Sequence, residues 1–288
     1  MSIVVCCNLP DGIIIGADSA ATITRPVSQP DGTVRHEVLK IFTGAQKVCP
    51  LQEALHGPVV AWYGAGMLGK RTIWSWVQEV KRSLPEQELG ILAESVGKGF
   101  QEIYDQEVKE GQEPGPLCLV VAGYDPGQAL GEVWHIEAPG RKATKAVQRR
   151  REKGNFGLDC FGITGPIVRL IGGFDPALAN RLIAYLVEKQ GARWSDEAAR
   201  EVGQILRGGA YPIPYAQMPL EQGIRHVKSL LDVVIDMGAF AEGPEVCDRP
   251  VTLAVITSDN RVYWETPPFL ERLAAEREVR VGDRFRGS

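Results

Sequence analysis

Apolar side chains open the chain in two runs, residues 2 to 9 and 13 to 18, separated by Pro10-Asp11-Gly12 and closed by the acid Asp18. An Asp-Gly dipeptide between β-branched runs predicts a β-hairpin turning on Asp11-Gly12. A polar, Pro-containing stretch over 24–37 then precedes "VLKIFTG" (38–44) and "PVVAWYGAG" (58–66). Both read as strands, the second ending in a glycine-rich turn. From 68 to 84 the spacing of Ile73, Trp76, Val77 and Val80 puts the apolar residues on one helical face, and a second helical pattern covers 88–109, with Pro85 between the two. Short strands follow in "LCLVVAGY", "GEVWHIEA" and "LDCFGIT". A second helical block has marked starts at Asp175-Pro176, at Ser195-Asp196-Glu197, and at Pro219 with Glu221. The chain ends with a strand pair, "PVTLAVIT" and "RVYWET", and a charged helical tail over 267–288. Two groups of strands, each followed by helices, predict an α/β (α+β) fold of the four-layer αββα sandwich type rather than a βαβ alternation. One domain is expected over 1–288, with a loop or insertion near 207–219, "RGGAYPIPYAQMP".

Composition narrows the partners. The 288 residues are 44% hydrophobic and 24% charged, and a net charge of −4 gives no general attraction to nucleic acid or anionic membranes. The run "RRREK" at 149–153 admits a basic patch or a solvated hairpin tip, and the net charge favours the second. No window of eighteen apolar residues occurs, and the first apolar run has neither a basic leader nor a small-residue cleavage site. Neither a membrane span nor a secretory signal is therefore expected, and the expected location is cytoplasmic. Six cysteines without a CxxC spacing and four histidines without an HxxxH predict no zinc site, disulfide framework or other cofactor. The cysteines are expected to pack as small apolar residues.

Three features carry candidate chemistry. Removal of Met1 would make Ser2 the first residue, joining a hydroxyl nucleophile to an α-amine whose reference pKa of about 8 suits a general base near neutrality. Met-Ser starts are also common without any such role. Asp18 ends an apolar strand and Lys40 lies between Leu39 and Ile41. If both point into the protein, they need each other, and the ammonium would favour a nearby alkoxide. The other reading is a surface lysine and a strand-end acid. In "YGAGMLGKR" a glycine turn before a helix offers Gly66 as a backbone N–H donor to an oxyanion. Trp62, Tyr63, Trp74 and Trp76 fit either a substrate groove beside that turn or the core.

Taken together, "SIVVCCNLPDGIIIGADSAAT", "LKIF", "VAWYGAGML", "MPLEQGIRHVKSLLDVVI" and "PVTLAVIT" resemble the β-type proteasome family of N-terminal nucleophile (Ntn) hydrolases, and within it a bacterial proteasome homologue. That family places the hairpin Gly ten positions after the nucleophile and an Asp-Ser pair six positions further on, as do Ser2, Gly12 and Asp18-Ser19. The resemblance implies a proteasome-like fold and a peptidase acting on peptide or protein substrates. Ser2 would be the nucleophile, Asp18 and Lys40 its charge partners, and Gly66 the oxyanion donor. Thr164 would supply a further hydroxyl, and Asp236 would stand near the family's late Asp, out of phase by about two residues. Ala20 replaces the family's Arg, and Ala241 falls where a second late hydroxyl is expected. The relatives work as rings, so a homo-oligomer is implied, while an ATPase partner is left open. A catalytically silent ring or scaffold subunit and a small-amide hydrolase are the alternative readings.

Overall fold

The computed structural model of the protein describes residues 2–28, 34–52, 55–84, 88–109, 115–137, 147–190, 196–242 and 246–267. The hairpin β1 (Ile3–Leu9) and β2 (Gly12–Ala17) leads to the paired strands β3 (Ala21–Ser28) and β4 (Val34–Phe42). Next come β5 (Val48–Pro50), β6 (Val59–Gly64) and the two-residue strands β7 (Met67–Leu68) and β8 (Arg71–Thr72). Helices α1 (Ile73–Ser83) and α2 (Leu89–Glu107) precede β9 (Leu117–Gly123), β10 (Glu132–Glu137), β11 (Val147–Arg151) and β12 (Gly157–Gly162). Helices α3 (Gly165–Gly172), α4 (Pro176–Gln190) and α5 (Asp196–Gly208) follow, then a 3₁₀ turn (Tyr215–Gln217), α6 (Leu220–Phe240), β13 (Thr252–Ile256) and β14 (Val262–Thr266).

The chain divides into two compact units, one of Met1–Gly162 with Tyr215–Ser288 and a smaller one of Ile163–Pro214. The stretch read as a loop or insertion near 207–219 runs from the smaller unit into the larger one at Tyr215. The described residues of the smaller unit form three helices, the first two started by Thr164-Gly165-Pro166 and Asp175-Pro176. At the second start the Asp175 carboxylate accepts from the Ala177 and Leu178 amides. Ser195, Pro85 and the expected tail helix beyond residue 267 lie outside the described residues.

Two five-stranded antiparallel sheets organise the larger unit, ordered β12-β1-β2-β13-β14 and β11-β10-β9-β6-β5. Every residue of β1 and β2 is buried because both faces are covered. On one face α6 packs on the hairpin; on the other, Val4, Cys6, Ile13 and Ile15 meet Val59, Ala61, Val120 and Ala122 of the second sheet. The second sheet's remaining face is covered by α1 and α2 through Trp76, Val77, Leu92, Val96 and Phe100.

Several local expectations are corrected. The hairpin pairs Leu9 with Gly12, so its two-residue turn is Pro10-Asp11 and Gly12 already belongs to β2. Gly12 is needed there for close approach: a Cβ would lie 3.0 Å from the Ile256 carbonyl and from a Leu220 methyl. The helix expected from 68 begins only at Ile73, because Met67–Leu68 and Arg71–Thr72 pair with each other and Thr72 caps the helix by accepting from Ser75 N. The 149–151 arginines stand on β11 rather than at a tip. Arg149 pairs with Glu132 and Glu152, and Arg151 with Asp159. Among the described residues no helix is long and apolar enough to cross a membrane.

Candidate active site

Ser2 is 4% exposed at the foot of β1, beside a cavity of about 310 Å³. Its Oγ accepts a hydrogen bond of 2.8 Å from Lys47 Nζ, and the same ammonium donates to Asp18 Oδ1 at 2.9 Å. Asp18 lies at the end of β2, antiparallel to β1, so the hairpin itself returns the acid to the start of the chain. Its carboxylate is fully enclosed and satisfied on both oxygens: Oδ1 also accepts from Ile3 N and Oδ2 from Ala20 N, each at 3.0 Å. A buried charge pair is tolerated only when each member is compensated, and here the backbone supplies what the lysine does not.

Ser19, next in sequence, holds the segment that delivers the lysine. Its carbonyl accepts from Ala45 N at 2.9 Å and its Oγ accepts from Gly44 N at 3.2 Å. Its own amide reaches the Asp248 carbonyl at 3.1 Å, which ties the segment before β13 to the same corner. The neighbouring Cys247 is buried, and its thiol is pushed up to about 12, by burial first and then by the Asp18 charge, with Lys47 opposing.

The site therefore contains the expected serine and aspartate but another lysine. Lys40 stands exposed on β4, which among the described residues is paired only with β3, with its ammonium 5.2 Å from the Phe42 ring centroid. Its apolar neighbours Leu39 and Phe42 are themselves exposed, so the alternation around Lys40 marks no buried face. Lys47 precedes the three-residue β5 inside a segment that reads as loop. The signal available was a lone cation heading the buried pair Val48-Cys49.

Gly66 lines the same cavity, and its amide has no hydrogen-bond acceptor among the described residues, while its carbonyl accepts from Ile73 N at 3.1 Å. A Cβ on Gly66 would meet nothing within 4 Å, so this glycine borders open space and the fold does not demand it. Trp62, Tyr63 and Trp74 also line the cavity. Trp76 belongs to the core, with Nε1 donating to the Leu68 carbonyl and the Arg71 guanidinium over its ring. Among the described residues Lys47 is the one charged residue of the lining.

Of the two remaining candidates, Asp236 is bonded elsewhere and Thr164 lies in the smaller unit. Asp236 is exposed on α6 and bonds Arg249 at 2.9 Å, a pairing that holds its carboxyl below the usual carboxylate range. Thr164 belongs to the smaller unit, where it precedes α3 and its side chain makes no capping bond. Among the described residues no cluster of His, Cys, Asp or Glu could hold a metal ion. Cys6, Cys7, Cys49 and Cys247 are buried, and burial pushes the Cys7 and Cys160 thiols up to about 12.

No family model matches the chain, and no curated protein does. Solved structures do. Anbu (ancestral beta-subunit) from Yersinia bercovieri aligns over 99% of this chain and 97% of its own, at 14% identity and a TM-score of 0.52. The Gly-1 mutant of Anbu from Hyphomicrobium sp. strain MC1 aligns over 100% and 98%, at 11% identity and a TM-score of 0.49. The first of these shows the fold: a mixed α+β architecture of antiparallel sheets and helices, proteasome-like. It also corrects the resemblance drawn from the motifs, because the Anbu proteins are proteasome-like but distinct from the β-type proteasome family. The matching spacing could not separate the two, since Gly12 and Asp18 hold their places through close packing and backbone bonds within the hairpin.

Proposed function

We propose that this chain is an N-terminal nucleophile amidohydrolase acting on peptide bonds, with Ser2 as the nucleophile once the residue ahead of it is removed. The observation that carries this reading is the single ammonium of Lys47, 2.8 Å from Ser2 Oγ and 2.9 Å from Asp18, beside a cavity. A fixed positive charge at that distance stabilises the alkoxide, and Asp18 keeps the charge in place. Ser2 Oγ attacks the carbonyl carbon while its proton passes to the Ser2 α-amine. The Gly66 N–H receives the negative charge developing on the carbonyl oxygen. The C–N bond then breaks, the leaving amine takes the proton from the α-amine, and an acyl ester stays on Oγ. Water, giving its proton to the same amine, releases the acid and restores the hydroxyl.

The four-layer αββα arrangement belongs to this reading, supported by α6 on one sheet, α1 and α2 on the other, and the shared core between the sheets. So does a homo-oligomer. Its support is the apolar surface of the smaller unit, where Leu170, Leu178, Leu182, Tyr185, Ile205 and Tyr211 are each at least 47% exposed. Thr164 is carried as a proposed auxiliary hydroxyl. Asp236, engaged with Arg249, favours the second reading, a subunit that keeps the fold without catalysis. Hydrolysis of a fluorogenic peptide amide by the purified chain, abolished in Ser2→Ala, is the expected result; equal rates in both would overturn the assignment.

A further inference from the structure

Three aromatic rings form a stack beside Ser2 that the mechanism above does not use. Tyr63 of β6, His135 of β10 and Phe161 of β12 have ring centroids 5.1 to 6.1 Å apart and planes within 25° of one another. The stack joins the two sheets, since β6 and β10 belong to one and β12 to the other. Tyr63 is its functional end. It immediately precedes the Gly64-Ala65-Gly66 turn, lines the cavity with Ser2, and approaches Gly162. Gly162 has φ +86°, and a Cβ there would lie 2.0 Å from the Ser2 carbonyl oxygen and 3.4 Å from the Tyr63 ring. Tyr63 thus stands where the start of β1, the glycine turn and the cavity meet.

His135 is what holds the ring. It is 8% exposed, and its Nε2 is bonded to the Tyr63 hydroxyl at 2.8 Å. A histidine in an otherwise apolar layer is less favourable than a phenylalanine unless its polar atoms are used, and here one of them is used on Tyr63. The tyrosine hydroxyl also faces Cys118, its cross-strand partner on β9, a weaker partner than an imidazole.

We propose that His135 is a positioning residue: by bonding Tyr63 it fixes the cavity wall between Ser2 and the glycine turn, so that a peptide substrate is seated with its carbonyl in line with Oγ. This rests on Ser2 being the nucleophile. A small sulfonyl fluoride needs only Ser2 Oγ, whereas a peptide amide must also fill the cavity, so the two reagents separate seating from nucleophile chemistry. His135→Phe keeps the stack and loses the bond, Tyr63→Phe loses the same bond from the other side, and His135→Gln retains a group that reaches the hydroxyl.

The expected result is a fall in kcat/KM for the peptide amide on the order of 10- to 100-fold in His135→Phe and Tyr63→Phe. Sulfonyl fluoride labelling is unchanged, and His135→Gln recovers most of the peptide activity. Peptide turnover in His135→Phe equal to the wild type would overturn the proposal and leave the Ser2 reading intact. A parallel loss of labelling, turnover and melting temperature, without recovery in His135→Gln, would overturn it too, by assigning His135 to stability alone. Absence of labelling in the wild type would overturn the Ser2 reading, and this proposal with it.

Discussion

At the level of single residues, the account turns on which lysine matters. Lys47→Met removes a buried ammonium and leaves the enclosed Asp18 carboxylate with backbone donors only, so it should lower unfolding free energy by about 3–5 kcal/mol and abolish turnover. Lys40→Ala removes an exposed side chain and should change stability by less than about 0.5 kcal/mol with activity kept. Ser2→Ala loses one hydrogen bond and should cost about 1 kcal/mol while eliminating hydrolysis. Urea titrations and peptide assays on the three variants check these outcomes together. Asp18 was legible in the sequence because an acid closing an apolar strand must be compensated. Lys47 was not, because its partners are 45 and 29 residues away and its own segment has no periodicity. Gly66 was legible as a turn glycine, yet only the geometry shows that its amide borders the cavity.

Among the elements, helix α2 is the clearest case of pattern becoming packing. Leu92, Ala93, Val96 and Phe100 recur at one, three and four residues and are all buried against the second sheet. Phe100 has no exposed surface, so Phe100→Ala should cost about 3–5 kcal/mol, read as a lowered midpoint in chemical denaturation. The sheet strands most visible in the sequence were those buried on both faces, β1, β2, β6, β9 and β13. Those missed, β3, β5 and β11, are polar, short, or at a sheet edge, where hydrogen bonding to a neighbour rather than apolar alternation decides the conformation. The late start of α1 has the same origin, since a two-residue strand pair leaves no period to read.

For the whole molecule, the buried His135 and the half-buried His226 set a pH dependence. Burial lowers His135 and His226 below the ordinary 6.5, with Glu137 opposing and Arg150 reinforcing the shift at His135. The unfolded chain then binds more protons than the folded one in weak acid. Their contribution to stability is complete above about pH 6.5 and is lost as pH falls through the lowered folded values. Asp125, Asp175, Asp236 and Asp259 lie below the ordinary 3.8 and add a separate loss at more acid pH. Thermal midpoints should therefore decline between pH 7 and pH 5, and decline less in His135→Phe. Composition and the two-group order of strands and helices carried the α+β class. The separation of 163–214 as its own unit was not legible, because its helices start and cap like any others.

The central claim is that the oxygen of Ser2 is the reacting atom and that its amine is free. Intact-mass spectrometry of the purified protein before and after a sulfonyl fluoride tests both at once. The account predicts a chain beginning at Ser2 that gains one sulfonyl group, with no gain in Ser2→Ala. A chain that retains the residue ahead of Ser2, or an unmodified mass after treatment, would contradict it.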